Sequence, residues 1–311
     1  MCIKGFSYGI ILTMQVPDNI LIRSKKDCKG IAIILWVYLL FSFVSSIVFY
    51  VVAVWVSISD RVYNVSSCLL TIVAMSCAIF VAYKKYGFRI EKKYFKKNFS
   101  LSIIPLMVLV IFGLNFINNL IMSMITLLFS ISTAQPSMDF GTDMISNMAL
   151  FCSAVLIAPI WEELLFRGAI LRILDRYNHT IAIVCSSILF AMMHGSLAQW
   201  VYTFALGLIL AYLSLKYDSL LLPMCIHATN NMFSVLLYMY NNTFVMIGMV
   251  MLMLCGVATL VYLIWQNKRI FQLKKDWNYP YMRYIFLNPY MIGILIVCTF
   301  SLLMEMFKNF F

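Results

Sequence analysis

The sequence predicts an all-α fold, a polytopic transmembrane helical bundle of about eight to nine spans. Three observations carry that prediction. Of the 311 residues, 63% are hydrophobic and only 11% are charged, with a mean hydropathy of +0.93. A soluble domain is about 45–50% apolar and about 25% charged, so the composition excludes an ordinary soluble enzyme, a disordered chain and an ordinary nucleic-acid binder. The apolar residues are gathered in runs of about 20, the length a helix needs to cross about 30 Å of hydrocarbon. The basic residues are concentrated in the connections between those runs.

Taken in order, residues 1–30 form a basic segment, expected to be cytoplasmic. The apolar patch at Tyr8–Val16 is short and no small-residue cleavage pattern follows it, so the first span, 31–57, is expected to act as an uncleaved anchor. The second span is 65–83. The stretch 84–97 (KKYGFRIEKKYFKK) interleaves bases with aromatics and is expected to lie along the inner headgroup layer. The run 101–130 is long for one crossing and carries Asn115, Asn118 and Asn119, which predicts a tilted or partly interfacial helix. The loop 131–145 has two aspartates and no Lys or Arg, as suits the outer side. Further spans are expected at 146–171, 180–195 (a short one), 198–215, 219–239, 243–266 and 287–307. Between the last two, 268–286 again mixes bases with Trp277, Tyr279, Tyr281 and Tyr284, as a membrane-surface element does. The chain thus divides into 1–30, an N-terminal membrane part 31–145, a core 146–240 and C-terminal spans 241–311 of one membrane domain.

The net charge is +11, and if alternate connections are cytoplasmic they hold 20 of the 23 Lys and Arg residues. Arg61 and Lys308 fall outside them, and Arg167 lies within a span. The positive-inside rule therefore sets the N-terminus in the cytoplasm, and the surplus charge implies anionic lipid as partner and no nucleic acid. A residue usage rich in Ile, Phe, Tyr, Asn and Lys points to a bacterial plasma membrane. Of nine cysteines none forms a CxxC pair, and Cys68, Cys77, Cys152, Cys185, Cys225, Cys255 and Cys298 sit in apolar runs as small hydrophobes.

Ionisable groups inside spans are costly, so each is a functional-site candidate. The chain has four glutamates, and two are adjacent in Ala158-Pro-Ile-Trp-Glu-Glu-Leu-Leu-Phe-Arg167. Glu163 and Arg167 are four apart and share a helix face, whereas Glu162 is rotated by about 100°. Glu163 is expected to pair structurally with Arg167, leaving Glu162 for chemistry. Of three histidines, His179 lies in a polar connection and reads as solvated surface. His194 follows Phe190 by four, and His227 precedes Asn231 by four, each in its own apolar segment. One intramembrane histidine is usually a packing hydrogen-bonder. Two of them and a glutamate pair on three spans make a constellation. Pro159 and Pro223 each stand about one turn before these groups; a helix-interior proline frees a carbonyl, while one in a first turn is ordinary.

In this order the residues resemble the CPBP family (CAAX proteases and bacteriocin-processing enzymes, also called Abi), which includes the type II CAAX prenyl endopeptidases. The family pattern EExxxR, FxxxH, HxxxN/D reads here as Glu162-Glu163-Leu-Leu-Phe-Arg167, Phe190…His194 and His227…Asn231. A looser small-residue motif points to Phe204 and Gly207. The resemblance spans about residues 146–235 and implies a membrane endopeptidase whose site opens to the cytoplasm. It implies Glu162 as the base that activates water, His194 as the group holding that water, and His227 and Asn231 as the oxyanion face. Glu163, Arg167 and Phe190 take supporting roles. Its expected substrate is a peptide or protein with a hydrophobic or lipidated segment, processed in the manner of a CAAX protein, a bacteriocin or a pheromone.

The chemistry of the residues agrees with such roles. Hydrolysis needs a positioned base for water and donors for the oxyanion. No serine or cysteine stands beside these groups as a nucleophile. Glu162, His194 and His227 could also supply three ligands to zinc, making the enzyme a metalloprotease. Against that, HExxH is absent and a glutamate that ligates cannot also be the free base, so zinc and bare glutamate both stay open, with the metal-free reading preferred. A non-catalytic scaffold, immunity or regulatory protein of the same fold is the alternative. A proton-relay transporter is disfavoured by the lack of an inverted repeat.

Overall fold

The computed structural model describes residues 18–56, 58–89, 91–129, 140–240, 242–266 and 281–307, and among them every regular element is helical. The helices are α1 (Asp18–Trp55), α2 (Asp60–Tyr86), α3 (Ile103–Phe129), α4 (Met144–Asp175), α5 (His179–Met192), α6 (Leu197–Lys216), α7 (Leu221–Met239), α8 (Thr243–Gln266), α9 (Tyr281–Phe286) and α10 (Pro289–Phe307). Each expected span coincides with one of them. Among the described residues α1, α2, α3, α4, α6 and α8 are long and apolar enough to cross a membrane, and α5 is a shorter apolar helix, as is α10 over Pro289–Met304. The chain is an integral, multi-pass membrane protein. α7 falls below that apolar standard because it carries His227, Asn230 and Asn231.

Three local expectations gain detail. The basic residues from Arg23 to Lys29 belong to the first turns of α1, which begins at Asp18, inside the expected separate segment 1–30. The run 101–130 gives one unbroken helix, α3; of its asparagines Asn118 is only 2% exposed, its Nδ2 donating to the Ala198 carbonyl at 3.0 Å, whereas Asn119 is exposed. An amide that finds a partner inside the bundle gives the helix no reason to break. Within the stretch 84–97 part of the aromatic set packs inward. α2 ends at Gly87 in a left-handed cap (φ 68°), and Phe88, Tyr94 and Phe99 turn inward as core. Burying aromatic area outweighs leaving those rings at the interface. Residues 131–139 and 267–280 lie outside the described residues, so those parts of the two loop expectations do too.

The inward turn builds one closed end of the bundle. Tyr94 accepts from the Leu220 N–H at 2.8 Å, and its ring underlies the Arg172 guanidinium, which pairs with Asp218 at 2.7 Å. Nearby Asp27 of α1 accepts from the Tyr177 hydroxyl at 2.7 Å and faces Arg176. Burial first, then that hydrogen bond, pushes the Tyr177 phenol up from its ordinary range. All these groups come from the basic connections, so the connections assigned to one side do meet at one end. At the opposite end Arg61 of α2 grips Asp143, the N-cap of α4, with Nη2 at 2.7 Å and Nε at 3.0 Å. That guanidinium, aided by the Ser146 N–H, holds the Asp143 carboxyl below the usual carboxylate range. Asn64 donates to the Ser146 hydroxyl at 2.7 Å beside it.

α3 and α8 meet at Gly113 and Gly256, where a Cβ on either residue would enter the partner's backbone. Helices in lipid associate through close backbone approach at such small residues. Gly256→Val is expected to force α8 away and lower stability by about 1–3 kcal/mol, the range for overpacking. Thermal unfolding of the detergent-purified variant checks it, and an unchanged midpoint would refute this close approach.

Candidate active site

The site starts from a defect in α4. This helix is interrupted by two π-helical stretches, Ser153–Ile157 and Leu164–Ile170, which flank Ala158–Glu163. Such insertions shift the helical phase and recur at functional sites. Pro159 explains the first of them chemically. In π register the Ala158 N–H reaches the Ser153 carbonyl, so the next donor, to Ala154, would be residue 159, and proline has no N–H. The orphaned Ala154 carbonyl is taken by Asn231, whose Nδ2 donates to it at 2.9 Å. Asn231 therefore fastens α7 to the break in α4 as well as facing the site. Asn231→Ala should cost about 1 kcal/mol, the net worth of one hydrogen bond to a part-buried carbonyl. In a Pro159→Ala background, which restores an N–H, the same substitution should cost less. Equal losses in the two backgrounds, read as unfolding midpoints, would disprove the coupling.

Beyond Pro159 the two glutamates diverge. Glu163 is fully buried, and its Oε1 accepts from Arg167 Nη1 and from His227 Nδ1, each at 2.9 Å. Arg167, itself 1% exposed, also donates to the Gly207 carbonyl at 3.4 Å and stacks over the Phe190 ring at 4.2 Å. Gly207 has to be small: a Cβ there would lie 3.0 Å from the Ser187 Cβ. Phe190 also contacts the rings of His194 and His227, at centroid distances of 4.7 and 5.8 Å. One ring thus locates the cation and both histidines. Phe204, on the same helix as Gly207, is half-buried.

Glu162, with a 19% exposed side chain, lines a cavity of about 530 Å³ together with His194, His227 and Asn231. All four residues expected to be catalytic share this one cavity wall, and Glu163 and Arg167 lie behind it. His179 stands apart on the surface, 60% exposed and bonded to Asp175. Pro223 sits in the first turn of α7, its ordinary place. The hydrogen bonds fix the ring orientations. His194 Nδ1 meets the Phe190 carbonyl at 2.9 Å, and a carbonyl only accepts, so Nδ1 carries the proton and Nε2 is left with its lone pair. By the same logic His227 holds a proton at Nδ1 against Glu163, and its Nε2 stands 3.9 Å from Glu162 Oε2.

Two further site residues escaped the motif reading. Tyr202 donates to Asn230 Oδ1 at 2.5 Å, and both line the cavity, as do Asn115 and Asn119 from α3. Their only sequence signal is polarity within apolar runs, the rule that had singled out the histidines.

The donor set offers a carboxylate and two oriented imidazoles, as metal sites do. Yet among the described residues no three His, Cys, Asp or Glu side chains converge closely enough to hold a metal ion.

Residues 144–233 match the family model described as Type II CAAX prenyl endopeptidase Rce1-like. That span contains all three motifs and the whole of the break in α4. The UPF0177 protein YvdC of Lactococcus lactis subsp. lactis (strain IL1403) is 26% identical over 137 residues, which is 43% of this chain and 52% of that protein. The chain therefore spans about half the length of the curated relative it matches. No solved structure matches. The resemblance read from the motifs holds for this core, and at family level it is one to CAAX-type proteases.

Proposed function

We propose that this chain is an intramembrane endopeptidase that hydrolyses a peptide bond in a hydrophobic or lipidated peptide or protein by direct attack of water. The observation that carries the reading is the shared cavity: Glu162, His194, His227 and Asn231, from three separate motifs, face one space while Glu163 is sealed behind them.

The donor inventory suggests the steps. Glu162 and the Nε2 of His194 are both acceptors, so together they hold a water by its two hydrogens and leave a lone pair for attack. Glu162 takes one proton as the water oxygen bonds to the substrate carbonyl carbon. The oxyanion that forms is met by the Nδ2 hydrogen that Asn231 does not give to Ala154, beside the His227 ring that Glu163 holds in place through Nδ1. Glu162 then returns its proton to the leaving nitrogen as the C–N bond breaks. No step passes through a metal.

The test is proteolysis by the purified protein in detergent, on peptides with prenylated and with plain hydrophobic C-termini, with and without a chelator. Cleavage by the wild type that Glu162→Gln lacks supports the reading. Activity abolished by chelator and restored by zinc would overturn the metal-free steps. Well-folded protein that cleaves nothing would favour a scaffold or regulatory role.

A further inference from the structure

We infer that the cavity is loaded from the end of the bundle opposite its basic end, so that the substrate is an extended peptide segment presented at the outer face and not a cytoplasmic tail. This inference rests on the reading of the cavity as a proteolytic site, and it concerns which side feeds it.

The first support is what closes the basic end. Between the site and that end lies packed core: Leu164 to Leu171 of α4 are buried throughout, and so are Leu222, Met224 and Ile226 of α7. Below them Phe88 packs on Gly168, and Tyr94 is bonded to Leu220. The inward-turned aromatic segment acts as a plug where the resemblance implied an opening.

The second is where the cavity reaches the surface. Asn119 is exposed and Tyr238 is 39% exposed, and both line it, with Gln199 beside them. Counted along their own helices at about 1.5 Å per residue, each stands about 25 Å from the basic end. Asn119 is measured from Ile103, Gln199 from Lys216 and Tyr238 from Leu221. That height is near the far edge of a hydrocarbon layer about 30 Å thick. A second cavity, about 530 Å³ between α1 and α2, also lies toward that end, running from Tyr63 to Tyr38. One cavity of about 560 Å³ does lie toward the basic end, against Trp161 and Arg89, but none of Glu162, His194, His227 and Asn231 lines it.

The third is chemistry. The mouth carries side-chain amides from Asn115, Asn119 and Gln199. Amides can exchange hydrogen bonds with an unwound peptide backbone, which must be satisfied wherever water is excluded. An isoprenyl chain would leave them unpaired. The charge asymmetry then names the face: of the 17 Lys and Arg among the described residues, 15 belong to the basic connections of the closed end, so the open end is the outer one.

The experiment does not depend on activity. Gln199→Cys at the mouth and Lys216→Cys at the closed end are each expressed as the full chain and treated with a membrane-impermeant maleimide. Labelling is compared in intact and permeabilised cells, with the wild type and its nine cysteines as background. Gln199→Cys should label equally in both, and Lys216→Cys only after permeabilisation. Tyr238→Cys repeats the mouth measurement should Gln199→Cys not accumulate. Mouth positions that label only after permeabilisation, or not at all, overturn the inference, as does Lys216→Cys labelling in intact cells. The proteolytic reading fails by a different result, the absence of cleavage in detergent, which leaves this labelling pattern unaffected.

Discussion

Glu162→Gln is expected to lower peptide cleavage by about 10²–10⁴-fold, the usual worth of a positioned general base, while leaving yield and unfolding midpoint close to those of the wild type. The size of the loss follows from the absence of a substitute. Glu163 is one residue away yet fully buried, with one oxygen already shared by Arg167 and His227, so it cannot turn to the cavity. The small structural effect follows from Glu162 being partly exposed in a cavity, with its nearest ionisable neighbour, His227 Nε2, 3.9 Å away and beyond hydrogen-bond reach. Glutamine keeps the shape and removes the charge. His194→Ala should retain some activity, because it removes one of two acceptors for the water and leaves the base. Cleavage rates for the three proteins, measured beside their unfolding curves, check the division. A Glu162→Gln protein that cleaves normally would move the base elsewhere.

Much of this site was legible in the sequence because a membrane makes polarity informative. In a soluble protein two adjacent glutamates and two histidines would be lost among dozens of charged residues. In apolar runs each polar group must have a reason. Helical spacing was enough to separate Glu163 from Glu162, since a four-residue offset to Arg167 survives even though the π segment begins at Leu164. The π segments themselves were not legible: nothing in the residue types Ser153–Ile157 marks a five-residue turn, and only the geometry explains how Pro159 and Asn231 answer one another. The inward packing of the aromatic stretch after α2 was not legible for a related reason. Bases alternating with aromatics describe both a helix lying on headgroups and a chain that turns its rings inward. What distinguishes them is the partner that Leu220 provides for Tyr94, 126 residues later in the chain. Long-range pairing is invisible to local pattern.

Arg167→Ala should have the second large effect, and on stability more than on chemistry. Removing one partner of a buried ion pair costs about 3–5 kcal/mol, because the other charge stays buried and unpaired. Here the loss is compounded: the guanidinium also reaches the Gly207 carbonyl and covers the Phe190 ring. The variant should therefore accumulate poorly and unfold at a lower temperature than Glu162→Gln. The informative comparison is the double variant Glu163→Gln with Arg167→Met, which removes both charges and keeps both volumes. Replacing a whole buried pair with neutral side chains is often close to neutral in stability, so this protein should recover most of the lost midpoint. It should not recover activity in proportion. His227 takes its orientation from the Glu163 carboxylate, which can only accept from Nδ1, and an amide at that position can also donate and so no longer fixes the ring that faces the oxyanion. Stability restored with cleavage still depressed would show that the pair's chemical role is to orient His227, with packing as a separate contribution. Stability and cleavage returning together would reduce Glu163 and Arg167 to packing alone.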